Sequence, residues 1–300
     1  MRIAITGAAG MVGQACIDRF VSRGDYVVSL ARKSGGRMTT ATEGICTWVT
    51  DYSTGDLRQA LRGIEAIVHL GAMRSNAPAD AKGYRPYFEA NVQTTENLLR
   101  AAVEENVETF CLASSVSVYS LGNHVPYRES EAPFPLSFYG ASKLACEHLA
   151  GLYARQAPLR WVSLRIAQIL GVEKRRSEAM FMKFMAMAKK KQKLMLWGAG
   201  EGARDAVYIK DVVTAFQLAL DRGSASGSFN IGGGRAFSNR EIAETINEVF
   251  GNVGNLAIDA SRREDTSVFY MDCSRAAAEL GWRRQWDLRT GLEDIQAQYP

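Results

Sequence analysis

Thr6-Gly7-Ala8-Ala9-Gly10-Met11-Val12-Gly13 directly follows an apolar run at residues 3–6 and opens an amphipathic stretch at 11–23. A strand that ends in a glycine-rich turn and enters a helix opens a dinucleotide-binding βαβ unit. The glycines permit a tight turn and a close approach of backbone to pyrophosphate. The first helical amides, at Met11, Val12 and Gly13, attract negative charge. A side chain at Gly7 or Gly10 is expected to block that approach. A bare glycine turn would read the same in isolation, so the rest of the chain decides.

Outward from this loop, short apolar runs alternate with helical patterns. Residues 26–30, 46–49, 66–70, 109–113 and 160–166 read as further strands; 56–62, 87–105 and 138–155 read as helices. The alternation predicts an α/β fold, a Rossmann-type doubly wound parallel sheet with helices on both faces. After Gly171 the rhythm changes. A Met/Phe-rich helix at 178–193 precedes short strands at 194–197, 207–208 and 228–231, with helices at 211–221, 239–250 and 274–280. We expect a cofactor domain over 1–171 and a smaller α/β substrate lobe over 172–300, with some interleaving of the chain between them.

Bulk properties narrow the class. A chain of 300 residues with 47% hydrophobic content can bury a sizeable core. A net charge of +4 permits an anionic ligand but does not point to nucleic acid. Cys16, Cys46, Cys111, Cys146 and Cys273 form no C-x-x-C pair, which suits reduced thiols in a cytoplasm. His69, His124 and His148 share no ligand-like spacing, so no metal site is expected. The apolar start runs straight into the glycine loop without a cleavage-type tail, and no run is long enough to span a bilayer. The Met180–Met187 stripe and Lys189-Lys190-Lys191 read as a helix packed on its own core with a solvated basic end.

Cofactor choice is read after the second strand, where a carboxylate would grip a ribose 2′-hydroxyl. This chain has Leu30-Ala31-Arg32-Lys33 there. Arg32 and Lys33 are expected to pair with a 2′-phosphate, giving NADP(H) preference over NAD(H); solvated loop charges are the alternative. Asp51 is placed to accept from an adenine amine or, equally, to serve the start of the next helix. Tyr52 beside it, and Ala167 after the run at 160–166, are further cofactor candidates.

Tyr139-Gly140-Ala141-Ser142-Lys143 supplies a phenol and an ammonium at i and i+4, on one helix face. An isolated phenol titrates near pH 10 and is a poor base at neutrality. An ammonium about 4 Å away, under an effective dielectric near 20, favours a phenolate by up to roughly 4 kcal/mol. Ser115, at the end of the fifth apolar run, is placed to hydrogen-bond the same substrate oxygen. With the glycine loop in order, Ser115, Tyr139 and Lys143 point to proton transfer beside a nicotinamide.

These motifs resemble the extended short-chain dehydrogenase/reductases. The resemblance rests on T-G-x-x-G-x-x-G, His69-Leu70-Gly71-Ala72, Asn91, Ser114-Ser115-Val116-Ser117-Val118-Tyr119 and Y-x-x-x-K. Within them the chain is similar to the nucleotide-sugar epimerase/dehydratase group, typified by UDP-galactose 4-epimerases. Leu196-Trp197-Gly198-Ala199-Gly200, Arg204-Asp205, Tyr208-Ile209-Lys210-Asp211-Val212 and Arg262…Asp265…Asp272 extend the likeness to nearly the whole chain. The resemblance implies that Ser115 and Tyr139 act on a substrate hydroxyl while Lys143 binds the nicotinamide ribose. It implies that Leu70, Gly71, Ala72, Arg74 and Asn91 line the cofactor. Arg204 and Arg262 would neutralise a sugar diphosphate, as forked guanidiniums do. It also implies a homodimer through the helices at 87–105 and 138–155, with a UDP-hexose as partner molecule and neither nucleic acid nor membrane.

The departures carry information. Val116 and Ser117 replace the Asp-Glu pair that performs elimination in the dehydratases, which argues against dehydration. Gln168 stands where the group has a diphosphate-contacting asparagine, and Glu264 replaces the glycine of R-x-G-D, adding a carboxylate beside a phosphate site. Phe269 stands where bulk limits the sugar pocket, pointing to an unsubstituted or 6-deoxy hexose rather than an N-acetylated one. Two enzymes share this machinery, a 4-epimerase and an NADPH-dependent 4-ketosugar reductase. The second-lobe motifs favour the epimerase and Arg32-Lys33 the reductase. A non-catalytic NADP(H)-sensing protein is opposed by the intact Ser115, Tyr139 and Lys143.

Overall fold

Most of the main sheet's strands are buried on both faces, which is why the sequence shows them as near-continuous apolar runs. The computed structural model describes residues 1–32, 40–74, 83–172 and 180–298. The chain first lays down β1 (Arg2–Thr6), α1 (Met11–Ser22), β2 (Tyr26–Arg32), β3 (Thr40–Thr42), β4 (Ile45–Thr50), α2 (Thr54–Ala60) and β5 (Ala66–His69). Then come α3 (Arg85–Tyr87), a π-helical turn (Phe88–Gln93), α4 (Thr94–Glu104), β6 (Thr109–Ser115), α5 (Phe138–Gln156) and β7 (Arg160–Ile166). Beyond these lie β8 (Gln168–Leu170), α6 (Met180–Lys189), β9 (Leu194–Trp197), β10 (Ala203–Tyr208), α7 (Ile209–Asp221) and β11 (Gly227–Ile231). The chain continues with β12 (Ala236–Ser238), α8 (Asn239–Val249), β13 (Leu256–Asp259), β14 (Val268–Phe269) and α9 (Leu288–Gln298).

The main sheet has eight strands in the order β11-β7-β6-β5-β1-β2-β4-β3, parallel throughout except for β3 against β4. Alternation along each strand feeds two cores. Ile3 and Ile5 of β1 pack on one side with Phe20 of α1 and Phe216 of α7. Ala4 faces the other side, where Phe110 and Leu112 of β6 meet Leu57, Leu98 and Leu99 of α2 and α4. The run at 228–231, grouped by the sequence with the smaller lobe, is instead the edge strand of this sheet. Residues 227–231 register on Val162–Ile166 of β7, and Phe229 and Ile231 are fully buried in the first core. A short apolar run does not specify which sheet it joins; the packing of α7 brings it back.

The smaller lobe is centred on β10, flanked by β12, β14 and β8, with β9 and β13 as a separate pair. Its core takes Phe181 and Phe184 of α6, Ile242 and Ile246 of α8, and Leu292 of α9. The Met/Phe stripe is thus internal. Lys191 donates to the carbonyls of Phe250 and Gly251 at 2.7 and 2.9 Å, just past the end of α8. Among the described residues no helix is long and apolar enough to cross a membrane.

Strand order reverses between β1 and β5, and this opens a crevice at their carboxyl ends. Gly7 sits there at φ 68°, and a Cβ on it would lie 2.7 Å from the Gly71 amide nitrogen. A Cβ on Gly13 would lie 2.3 Å from the Gly7 carbonyl oxygen. Both neighbours are backbone and cannot swing aside. Gly13→Ala is therefore expected to cost about 1–3 kcal/mol of stability through overpacking, read as a lower midpoint in urea unfolding.

Candidate active site

The glycine turn forms one wall of a cavity of about 810 Å³, with the end of β2, Tyr52, Gly71-Ala72-Met73 and Thr94 around it. Gly10 caps α1 without a side chain, so the amides of Met11, Val12 and Gly13 lie at an open helix end. A volume in the range of cofactor pockets, together with that open helix end, fits a dinucleotide pyrophosphate. Of the cofactor-binding candidates, Gly7, Arg32, Tyr52, Gly71 and Ala72 line this cavity. Met73, His69 and Thr94 line it too and were not among the candidates. Thr94 follows the π-helical turn, which shifts the following helix and leaves no mark in a 3.6-residue pattern. Lys33 lies outside the described residues. Asp51 accepts from the Ser53 amide at 2.8 Å, and Ser53 caps α2.

Tyr52 is held at φ 61°, a left-handed conformation costing a non-glycine residue roughly 1–2 kcal/mol. Its hydroxyl donates to the Leu30 carbonyl at 3.0 Å, and its own carbonyl accepts from Asn97 at 2.9 Å. The Arg32 guanidinium lies 5.2 Å over its ring and reaches the Thr94 hydroxyl at 3.5 Å.

The catalytic candidates come from β6 and α5. Ser137 caps α5 by accepting from the Gly140 amide at 3.0 Å, which places Tyr139 in the first helical turn. A Cβ on Gly140 would lie 2.0 Å from the Ser117 carbonyl oxygen, so the helix start presses directly on the turn that begins at Ser115. Lys143 is buried and donates to the Ala113 carbonyl of β6 at 2.8 Å, with its nitrogen 6.0 Å from the Tyr139 ring centre. The Arg74 guanidinium also lies 6.0 Å from the centre of the same ring. Ser115 donates to the Ser117 hydroxyl and accepts from the Ser117 amide, each at 3.1 Å.

Asn91, inside the π-helical turn, clamps the Met73 backbone at both its amide (2.6 Å) and its carbonyl (3.1 Å). It also donates to Ser142 at 2.9 Å, and Ser142 donates to the Tyr139 carbonyl at 2.7 Å. Asn91 therefore joins the cavity wall to α5.

His69 is fully enclosed beneath this wall. Thr95 donates to the Asn91 carbonyl at 2.6 Å, so it accepts from His69 Nε2 at 3.0 Å. Nδ1 then accepts from Thr6, whose oxygen in turn accepts from the Gly71 amide. Burial first, and the Lys143 ammonium second, push the imidazole down to about 3. The ring is neutral and structural.

The substrate-side candidates lie around β10. Arg204 and Phe269 are register partners on β10 and β14, with the guanidinium 6.0 Å over the ring. Arg204 pairs with Asp265 at 3.1 Å, and Arg262 pairs with Asp259 at 3.4 Å while lying 4.9 Å over Trp197. Gln168 and Ala167 lie at the start of β8, Gln168 in register with Ala206. Glu264 accepts from the amides of Gly200 and Gly202, each at 2.8 Å. Desolvation opposes its charge, but these amides outweigh it and hold the carboxyl below its usual range. The added carboxylate is engaged by the loop of residues 198–202, which explains how it is accommodated there.

The family model for NAD dependent epimerase/dehydratases matches residues 3–232. The chain belongs to this family. An uncharacterised UDP-glucose epimerase of Bacillus subtilis (strain 168) is 27% identical, covering 97% of this chain and 96% of its own length. Among solved structures, the UDP-N-acetylglucosamine 4-epimerase of Bacillus cereus is 32% identical with a TM-score of 0.87, covering 100% of this chain and 96% of that one. The UDP-glucuronic acid 4-epimerase of Bacillus cereus, solved with UDP-glucuronic acid and NAD, is 25% identical with a TM-score of 0.85 and covers 100% of both chains.

These findings correct the expected NADP(H) preference. The epimerase/dehydratase family is NAD-dependent, and the glucuronic acid epimerase holds NAD. The Arg32 charge that suggested a 2′-phosphate partner is stacked across Tyr52 towards Thr94.

A pH prediction follows from His69. An unfolded imidazole titrates near 6.5, whereas His69 in the fold titrates at about 3. The unfolded chain therefore binds the extra proton between these values. The stabilisation is complete above about pH 6.5 and is lost as pH falls towards 3. Asp205 acts in the opposite sense: burial raises it to about 6 despite amide hydrogen bonds from Met271 and Gly233, so its contribution declines as pH rises through that value. Comparing urea unfolding of wild type and His69→Gln between about pH 7.5 and 4.5 isolates the histidine. The wild type is expected to lose up to a few kcal/mol more than the variant.

Proposed function

We propose that this family member is a nucleotide-sugar 4-epimerase that works with NAD on a UDP-hexose. The observation that carries the reading is the seat of α5: its first turn rests on the Ser115–Ser117 backbone while Lys143 is tied to the strand that carries Ser115. Serine, phenol and ammonium thereby share one end of the sheet, beside the cavity. A bound nicotinamide dinucleotide supplies the reversible hydride acceptor that no side chain of the chain provides.

The side chains do the rest. Tyr139 takes the proton of the sugar 4-hydroxyl and returns it to the 4-keto group after the sugar has turned over, with no net redox change. Ser115 holds the same oxygen. Lys143 spends one donor on Ala113 and keeps others for the nicotinamide ribose and for the electrostatic support of Tyr139. Arg204 and Arg262 exchange their carboxylate partners for the sugar diphosphate, with Gln168 beside them. Phe269 limits the sugar pocket, favouring an unsubstituted or 6-deoxy hexose.

Residues 1–171, with β11 returning to the same sheet, form the cofactor domain in this reading, and the remainder binds the sugar nucleotide. A homodimer forms through α4, α5 and the π-helical turn, where Phe88 and Leu152 are 45% and 50% exposed. A cytoplasmic location accords with five free cysteines.

The test is incubation of the purified protein with UDP-glucose, UDP-galactose and UDP-N-acetylglucosamine, with and without added NAD. Interconversion of a 4-epimer pair is expected, and stoichiometric reduction of the added NAD without interconversion would overturn the reading. Tyr139→Phe is expected to lower kcat by about 100-fold or more while binding of the UDP-sugar, measured by calorimetry, is retained. Unchanged turnover in that variant would refute the role of the phenol.

A further inference from the structure

A single guanidinium joins the two elements that carry the catalytic hydroxyls. Arg165 of β7 is buried, with a side chain 6% exposed. Its Nε and Nη2 donate to the Glu147 carboxylate of α5 at 3.1 and 2.7 Å. Its Nη1 donates to the Tyr119 hydroxyl at 2.6 Å. Glu147 lies one turn past Lys143 and two past Tyr139, on the same helical face. Tyr119 ends the short turn that begins at Ser115. The helix with the phenol and the turn with the serine are thus held by two arms of one rigid fork.

Such a pair is a poor device for stability. Desolvating both charges offsets most of their attraction, and apolar side chains of similar volume often serve as well. What the planar fork supplies is direction. The arrangement also reaches the smaller lobe. The Tyr119 hydroxyl donates to Asn230 at 3.0 Å, and Asn230 donates to the Tyr127 carbonyl at 2.9 Å. The Tyr119 ring lies 5.0 Å from Tyr127, which stacks on Phe269 at 6.0 Å. Burial raises the Tyr119 phenol to about 12 against the pull of Arg165, so the group remains a neutral donor and acceptor.

We propose that Arg165, Glu147 and Tyr119 are positioning residues that set the separation of the Ser115 and Tyr139 hydroxyls, and through it kcat. The inference rests on the assignment of those two hydroxyls to the proton transfer. Tyr119→Phe removes one arm of the fork and keeps the ring stack. It is expected to lower kcat by about tenfold or more, with KM for the UDP-sugar held within about twofold. Glu147→Gln keeps the side-chain volume, weakens the other arm and is expected to give the same kcat-selective loss.

Ser228→Ala is the structural control. It removes a 3.0 Å hydrogen bond from β11 to the same carboxylate without touching either arm. A lower Tm with unchanged kcat is expected there. If Tyr119→Phe and Glu147→Gln behave like Ser228→Ala, the positioning role is overturned. Tyr139→Phe, assayed alongside, separates the two levels. An inactive Tyr139→Phe with a normal kcat in both positioning variants sinks this inference alone. An active Tyr139→Phe sinks the underlying assignment and this inference with it.

Discussion

The seat of α5 on the carboxyl ends of β6 and β7 is the constraint on which the site depends. Three contacts define it, and each has a different physical character. The missing side chain of Gly140 admits the Ser117 carbonyl, Lys143 donates to Ala113, and Glu147 meets Arg165. Steric access sets the approach, a charge-assisted hydrogen bond sets the height, and a bidentate ion pair sets the rotation. A helix held by apolar contacts alone would have more freedom to slide, since burial of area is non-directional.

The crevice between β1 and β5 is the second fixed element, and it is joined to the first by a polar chain. Gly71 bonds Thr6, Thr6 meets His69, His69 meets Thr95, and Thr95 reaches the Asn91 carbonyl. The Asn91 side chain then clamps Met73 and Ser142. Each donor in this chain has an acceptor, and His69 remains neutral inside it. The cavity wall and α5 are therefore parts of one hydrogen-bonded layer, rigid because an unsatisfied member would be costly to bury.

The smaller lobe is built differently. Its arginines sit at the surface in ion pairs with Asp265 and Asp259, exposed enough for those pairs to be weak. Such exposed pairs exchange partners at little cost. The loop of residues 198–202 is instead held firmly, by the Glu264 carboxylate accepting from its amides. Fixed loop and exchangeable cations together suit a surface that must recognise a charged ligand and release it.

The glycine spacing, the strand–helix alternation and the Tyr139/Lys143 pair were legible in the chain because each depends on neighbours within a few residues. Local sterics and helical periodicity suffice to read them, and they carried the fold class and the family. What the tertiary structure alone decided involves partners far apart in sequence. Residues 228–231 join the main sheet rather than the lobe, the π-helical turn aims Asn91, Glu264 faces inward to a loop, and Arg165 gathers Glu147 with Tyr119. Arg32 shows the reason most plainly. A charge after the second strand has no fixed meaning until its surroundings are known, and here the ring of Tyr52, twenty residues on, takes its face. Sequence determines which groups are available; packing determines what each one meets, because electrostatic and stacking energies depend on distance and direction in space.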